Sequence, residues 1–257
     1  MTPVSVPSPG VAISREFLRR AFPRDDWVAT FLKAYDTGRV AQRVGPVSDF
    51  WQGHWLGWLR MMNHCRFNIY VSVNAMTPYR RERTKAAVRG IRHVFVDVDR
   101  GGRAVLSRVL DDPTLPIPSY VIHTSPGRVQ LLWRVRGFFP DETERLQKHL
   151  AEVLGGDPCA TSVSQTMRLP GFENWKYRTR QLVSVEYGAD VHYFEPGDFP
   201  RPGARPNPPA RPAAGSPRPP GRGGDPVERA RRYLAAVPPA IAGQGGDART
   251  FRVCCRL

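Results

Sequence analysis

The chain has 257 residues, 41% of them hydrophobic, enough for one well-packed domain of ordinary size plus extra segments. No run of about 18 apolar residues occurs, which excludes a membrane-spanning helix. The N-terminal stretch MTPVSVPSPGVAISREF lacks the charged start and apolar core of a secretory signal, so the protein is expected in the cytoplasm. The formal charge is +15, and residues 1–195 hold 27 basic against 19 acidic side chains, so the excess belongs to the folded part as well as the tail. A basic domain suits a polyanionic partner, nucleic acid or nucleotide.

The apolar residues of Ser48–Asn63 (Phe50, Trp51, Trp55, Leu56, Trp58, Leu59, Met62) recur at spacings near three and four, which predicts a buried helix. These tryptophans are read as core rather than as base-stacking platforms. Phe67–Val73 alternates and is β-branched, a strand. A basic helix is expected over Tyr79–Arg92, followed by a second strand, His93-Val-Phe-Val-Asp-Val-Asp99. Leu106–Leu110 predicts a short helix, and Tyr120–His123 and Val129–Val135 are strands flanking the turn Ser125-Pro-Gly-Arg128. Glu142–Leu154 is an amphipathic helix stopped by Gly155-Gly156, and Leu182–Tyr187 is a last strand. Strands and helices mix without regular alternation, which argues for an α+β domain around an antiparallel or mixed sheet.

Residues 196–226 contain eleven prolines in 31 positions and are expected to be an extended, semi-rigid linker that builds no core. Residues 227–257 read as the helical start of a further module, too short to fold alone, so the chain is expected to be the front part of a longer protein. The four cysteines (Cys65, Cys159, Cys254, Cys255) form no C-x-x-C pair, and no histidine stands at zinc-ligand spacing from two of them. A zinc site is therefore not expected.

Side chains two apart in a strand share a face, so Val94, Val96 and Val98 point into a core. Phe95, Asp97 and Asp99 point the other way. Two carboxylates on one face at a strand end repel unless a cation lies between them, and magnesium or manganese takes oxygen ligands. Such a pair can activate a hydroxyl and steady a leaving phosphate. Taken alone, D-V-D is equally compatible with two solvated carboxylates. In the turn His123-Thr-Ser-Pro-Gly-Arg-Val-Gln130, the glycine permits close backbone approach, and Ser125, Arg128 and Gln130 supply donors suited to phosphate. Asp157 follows the helix stop. Arg168 and Lys176 bracket a Pro-Gly turn, and Asn174 can bond a base, a phosphate or the backbone. Surface charge is the ordinary reading of each basic residue alone.

The order D-V-D, S-P-G-R-V-Q, G-G-D, R-L-P-G-F-x-N-x-K resembles the archaeo-eukaryotic primase superfamily, closest to the RepB-like primase domains of plasmids, phages and related mobile elements. The likeness runs from about Asn68 to Tyr187. It implies an α/β unit joined to an RRM-like sheet that carries the aspartates. It also implies catalytic metal, Mg²⁺ or Mn²⁺, on Asp97, Asp99 and Asp157, and triphosphate contacts from Ser125 and the Gln130 position. Many members of the wider superfamily have a histidine where this chain has Gln130. The implied activity is primer synthesis, by a primase or primase–polymerase, from NTP or dNTP on a single-stranded DNA template. Arg128, Gln130, Arg168, Asn174 and Lys176 are then expected at the nucleotide, and Arg80, Arg81, Arg83 and Arg89 at the nucleic acid. Ala230–Arg252 resembles the segment ahead of a replicative helicase in primase–helicase fusions. The competing readings are a non-catalytic single-strand-binding module, which predicts aromatics exposed on the sheet face, and a metal-dependent nuclease or relaxase.

Overall fold

A computed structural model describes residues 9–51, 53–177, 180–188 and 192–200. All of these lie in the first of two compact units, Met1–Gly203 and Ala204–Leu257. The element order is α1 (Pro9–Ala21), β1 (Trp27–Ala34), β2 (Val40–Pro46), α2 (Ser48–Trp51), α3 (His54–His64), β3 (Phe67–Ser72), β4 (Ala75–Met76), β5 (Val88–Gly90) and β6 (His93–Val98). There follow α4 (Gly102–Asp111), β7 (Tyr120–Ser125), β8 (Arg128–Arg134), α5 (Pro140–Leu154), β9 (Thr166–Arg168), β10 (Glu173–Asn174), β11 (Gln181–Leu182) and β12 (Ser184–Tyr187). No described helix is long and apolar enough to cross a membrane.

Two antiparallel sheets carry the fold. One runs β5-β4-β1-β3-β9, with β2 also paired to β1, and the other runs β12-β7-β8-β6. Alternation along β6 divides its side chains between two cores. Val94, Val96 and Val98 pack with Leu131, Trp133 and the apolar stripes of α4 and α5. Phe95, on the opposite face, joins Tyr120, Ile122 and Leu132 against β1, β3, α1 and α3. The second sheet is thus covered on both faces, and the aspartate face of β6 looks toward the first sheet, not outward to solvent. In α5 the residues Leu146, Leu150 and Leu154 repeat every fourth position onto β6, and Pro140 opens the first turn. Gly155, in the left-handed conformation at φ 71°, ends the helix.

Several expected elements differ. The Ser48–Asn63 helix is two helices, because Gly53 turns the chain at φ 89°. Its core role holds for the described side chains: Phe50, Trp55, Leu56 and Leu59 are fully buried. No helix spans Tyr79–Arg92. Tyr79 adopts φ 63°, Lys85–Ala87 makes one tight turn, and Val88–Gly90 pairs with β4. That stretch has good helix formers but no apolar stripe to bury, and packing rather than propensity decides. The Leu182–Tyr187 strand is divided at Val183, which is buried and pairs by its backbone with Phe172. Residues 196–200 are not linker: Pro196–Asp198 forms a turn and Phe199, 5% exposed, packs its ring edge-on to Trp133, Phe138 and Phe194. The remainder of the expected linker, the 227–257 segment and Cys254-Cys255 lie outside the described residues.

Candidate active site

A cavity of about 360 Å³ opens between the two sheets where β6 ends. Asp97, Asp99 and Asp157 line it together with Arg128, Gln130, Arg168, Asn174 and Lys176. Residues 58 or more positions apart meet there for local reasons. The β6–β8 ladder sets Asp97 opposite Gln130. The Asp157 N–H donates to the Asp97 carbonyl oxygen at 2.8 Å. A Cβ on Gly156 would stand 2.7 Å from Val96 Cγ1 and 3.0 Å from the Asp97 carbonyl, so only glycine lets this loop lie on β6. Both glycines of G-G-D therefore serve folding, and what they deliver is Asp157 beside Asp97.

Asp97 is half-buried and Asp99 is exposed. Burial pushes the Asp97 carboxyl up to about 6; the Gln130 amide opposes the shift, Asp99 and Asp157 add to it, and Arg168 opposes it. Asp99 pairs with Arg128 Nε at 3.4 Å, and Asp157 Oδ1 accepts from its own loop, from the Cys159 N–H at 2.8 Å. In these rotamers the three carboxylates do not form a ready cage: among the described residues no group of three or more His, Cys, Asp or Glu could hold a metal ion. The donor chemistry nevertheless fits an oxygen-seeking divalent cation, since the carboxylates of Asp97, Asp99 and Asp157 line one cavity.

The cationic wall is anchored on aromatic rings. The Arg168 guanidinium lies 4.8 Å from the Tyr70 ring centre and donates to Asn68 Oδ1 at 2.7 Å. Arg128 lies over Tyr177 at 4.6 Å, and Lys176 sits between Tyr177 at 5.6 Å and Tyr35 at 6.0 Å. Arg83, over Phe31 at 5.6 Å, also lines the cavity and donates to the Ser164 carbonyl. The other three arginines expected at the nucleic acid do not line it: Arg80 is ion-paired with Glu82 at 3.6 Å, and Arg81 and Arg89 are exposed elsewhere.

Three expected nucleotide contacts are already engaged with protein. Ser125 is buried and its Oγ accepts from Arg128 Nη1 at 3.3 Å, so it reaches the cavity only through that arginine. Asn174, 1% exposed, donates to the Thr124 carbonyl at 2.7 Å and accepts from the Lys176 N–H at 3.0 Å, which shapes the hairpin bearing Lys176. Gln130 donates to Asp97 Oδ2 at 3.3 Å and accepts from the Arg168 N–H at 2.9 Å. The Pro170-Gly171 turn faces away, since a Cβ on Gly171 would overlap the Gly10 carbonyl of α1.

Sequence reasoning missed the β1–β2 hairpin and with it Phe31, Lys33 and Tyr35 on the cavity wall. The signal was present: Asp36-Thr37-Gly38, with Gly38 at φ 69°, separates two extended runs. Tyr70 of β3 completes this wall, its hydroxyl 3.0 Å from that of Tyr35.

Antiparallel sheets with several flanking helices give the chain the fold of archaeo-eukaryotic primases. Within that class, the family model for the RepB DNA-primase N-terminal domain matches residues 36–187, and the chain belongs to that family. Among solved structures, primase RepB′ is similar at 20% identity and TM-score 0.54, over 69% of this chain and 56% of that one. The catalytic domain of RepB′ in complex with initiator DNA aligns with TM-score 0.51 at 20% identity, over 67% of this chain and 84% of that one. The domain of the cyanophage S-2L primase–polymerase aligns with TM-score 0.55 at 18% identity, over 73% of this chain and 93% of that one. The chain thus spans just over half of the first of these. No curated protein matches.

Proposed function

We propose that the chain is a template-dependent nucleotidyltransferase that makes primers for DNA replication of a mobile element. Its substrates would be NTP or dNTP on single-stranded DNA, and a replicative helicase would act in the same polypeptide or complex. The observation that carries this reading is one cavity in which three carboxylates face the cations Arg128, Arg168 and Lys176. A triphosphate suits both kinds of lining, because its oxygens pair with arginine and lysine while a divalent cation held by the carboxylates would offset the remaining negative charge.

Asp97, Asp99 and Asp157 would hold Mg²⁺ or Mn²⁺, which when bound would supply neutralising charge for the phosphates and acidify a nearby hydroxyl. Asp99 would turn from Arg128 to do so, and Asp157 would keep one oxygen on the Cys159 N–H. Arg128, released from Asp99, then points its donors at phosphate. Arg168 and Lys176 would orient the triphosphate beside it, held by cation–π contacts with Tyr70, Tyr35 and Tyr177. Ser125 and Asn174 act through Arg128 and Lys176.

The aromatic wall of Phe31, Tyr35 and Tyr70 favours a second reading, a module that only binds single strands. Three carboxylates in the same cavity count against it, because without a cation they repel phosphate. Primer synthesis on a single-stranded circular template, with and without Mn²⁺, separates the two. Labelled oligonucleotides that appear only with the cation support the enzyme; DNA binding with no product under either condition supports the module.

A further inference from the structure

Among the described residues, Gln130 is the one buried amide on the cavity wall with both ends committed to groups the proposed chemistry uses. It is 4% exposed and stands opposite Asp97 in the β6–β8 ladder. Its Nε2 donates to Asp97 Oδ2 at 3.3 Å, and its Oε1 accepts from the Arg168 N–H at 2.9 Å. β8 belongs to the four-stranded sheet and β9 to the other, so this side chain ties the two sheets together beside the carboxylates. Beyond it, Arg168 Nη1 donates to Asn68 Oδ1, which also accepts from the Trp175 N–H at 2.9 Å. A continuous chain of bonds therefore runs from the carboxylate of β6 to the cationic wall.

We propose that Gln130 is a positioning residue and not a nucleotide ligand. Its amide fixes the orientation in which Asp97 meets a divalent cation and fixes the distance from that carboxylate to the Arg168 strand. The proposal rests on the reading of the cavity as a nucleotidyl-transfer site. An amide suits the task because its two ends differ: N–H for a carboxylate, C=O for a backbone N–H. An ammonium or guanidinium there would neutralise Asp97 and compete with the cation, and a carboxylate would repel it. Asp97 keeps Oδ1 and the remaining lone pairs of Oδ2 for a cation. Partners that orient a metal-binding carboxylate in this way typically change metal affinity or activity about tenfold to a hundredfold when removed.

Calorimetric titration of Mn²⁺ into the full chain, without nucleotide or DNA, reads cation affinity apart from turnover. Gln130→Ala is expected to weaken Mn²⁺ binding and lower kcat, each by about tenfold or more, and to leave nucleotide KM within about twofold. Gln130→Met, which keeps the volume and removes the donor and the acceptor, is expected to behave alike. A raised nucleotide KM with unchanged Mn²⁺ affinity in either variant overturns the proposal, because the amide then serves the nucleotide. Should both variants unfold, nitrogen-15 spectra of the wild-type chain decide. The Gln130 side-chain amide is expected to shift on Mg²⁺ alone, and a shift that comes only with nucleotide overturns the proposal. A wild-type chain that neither binds Mn²⁺ nor incorporates nucleotide brings down the nucleotidyl-transfer reading itself. One that does both, and is matched by Gln130→Met, brings down the role of Gln130 alone.

Discussion

Replacing Asp97 with asparagine is expected to stabilise the cation-free protein. The carboxyl is raised from its ordinary 3.8 to about 6 on folding, so between those values the folded chain binds more protons than the unfolded one. Stability contributed at this position therefore falls as pH rises through that window, and the full penalty stands above pH 6. About 2 pH units at 1.36 kcal/mol each gives about 3 kcal/mol, reduced to about 2 by partial solvent access and by the charge partner that Arg168 loses. Asparagine keeps an oxygen to accept from Gln130 Nε2, so that bond survives. For a unit of this size the gain corresponds to a rise in Tm of about 4–8 °C. Thermal or urea unfolding in chelator at a series of pH values is the assay. The gap between variant and wild type should open from pH 4 to 6 and then level off. His93 titrates in the opposite sense in both proteins: fully buried, with Nδ1 donating to the Val73 carbonyl, it is depressed to about 4, so its stabilisation is lost as pH falls from 6.5. That contribution cancels in the difference. A variant less stable than wild type at pH 8, or a gap that ignores pH, would refute the argument.

Arg168→Ala is expected to raise nucleotide KM about tenfold or more and to leave single-stranded DNA affinity nearly unchanged, while an Arg80/Arg81 double alanine variant lowers DNA affinity and flattens its salt dependence. Independent titrations of nucleotide and DNA check this, and loss of DNA affinity in Arg168→Ala at unchanged KM contradicts it. Gly156→Ala is expected to push Asp157 off β6 and to cost about a hundredfold in incorporation rate, measured against a retained fold by circular dichroism. Phe199→Ala is expected to destabilise the fold by about 3 kcal/mol or more in urea unfolding, and limited proteolysis is expected to leave a core that ends after Pro200 and not at 195.

What was legible in the sequence was what local periodicity encodes. The alternation of His93–Asp99 placed the valines and the aspartates on opposite faces, and Gly155 marked the end of α5. The cavity's composition was legible through motif order, because Asp157, Arg168 and Lys176 do meet the D-V-D pair. What one side chain does once there was not. Gln130, Asn174 and Ser125 carry polar groups that suit phosphate, yet Gln130 and Asn174 are committed to partners on strands far away in the chain, and Ser125 to Arg128 of its own turn. Asp97, which D-V-D alone left compatible with a solvated carboxylate, is half-buried, because the aspartate face of β6 looks toward the other sheet, whose placement local periodicity does not encode. The basic stretch Arg80–Arg89 failed as a helix for a related reason: its propensity was local, and the pairing of Val88–Gly90 with β4 was not. Phe199 was hidden by the prolines around it, which describe backbone stiffness and say nothing of one ring's docking site.

The most direct test of the central claim is nucleotide incorporation by Asp97→Asn and Asp99→Asn beside wild type, on a single-stranded DNA template with Mn²⁺, with DNA affinity measured on the same preparations. The account predicts that both substitutions abolish incorporation while the fold is retained, Asp97→Asn being the more stable, and DNA binding stays near the wild-type level. Incorporation at the wild-type rate by both variants would contradict it.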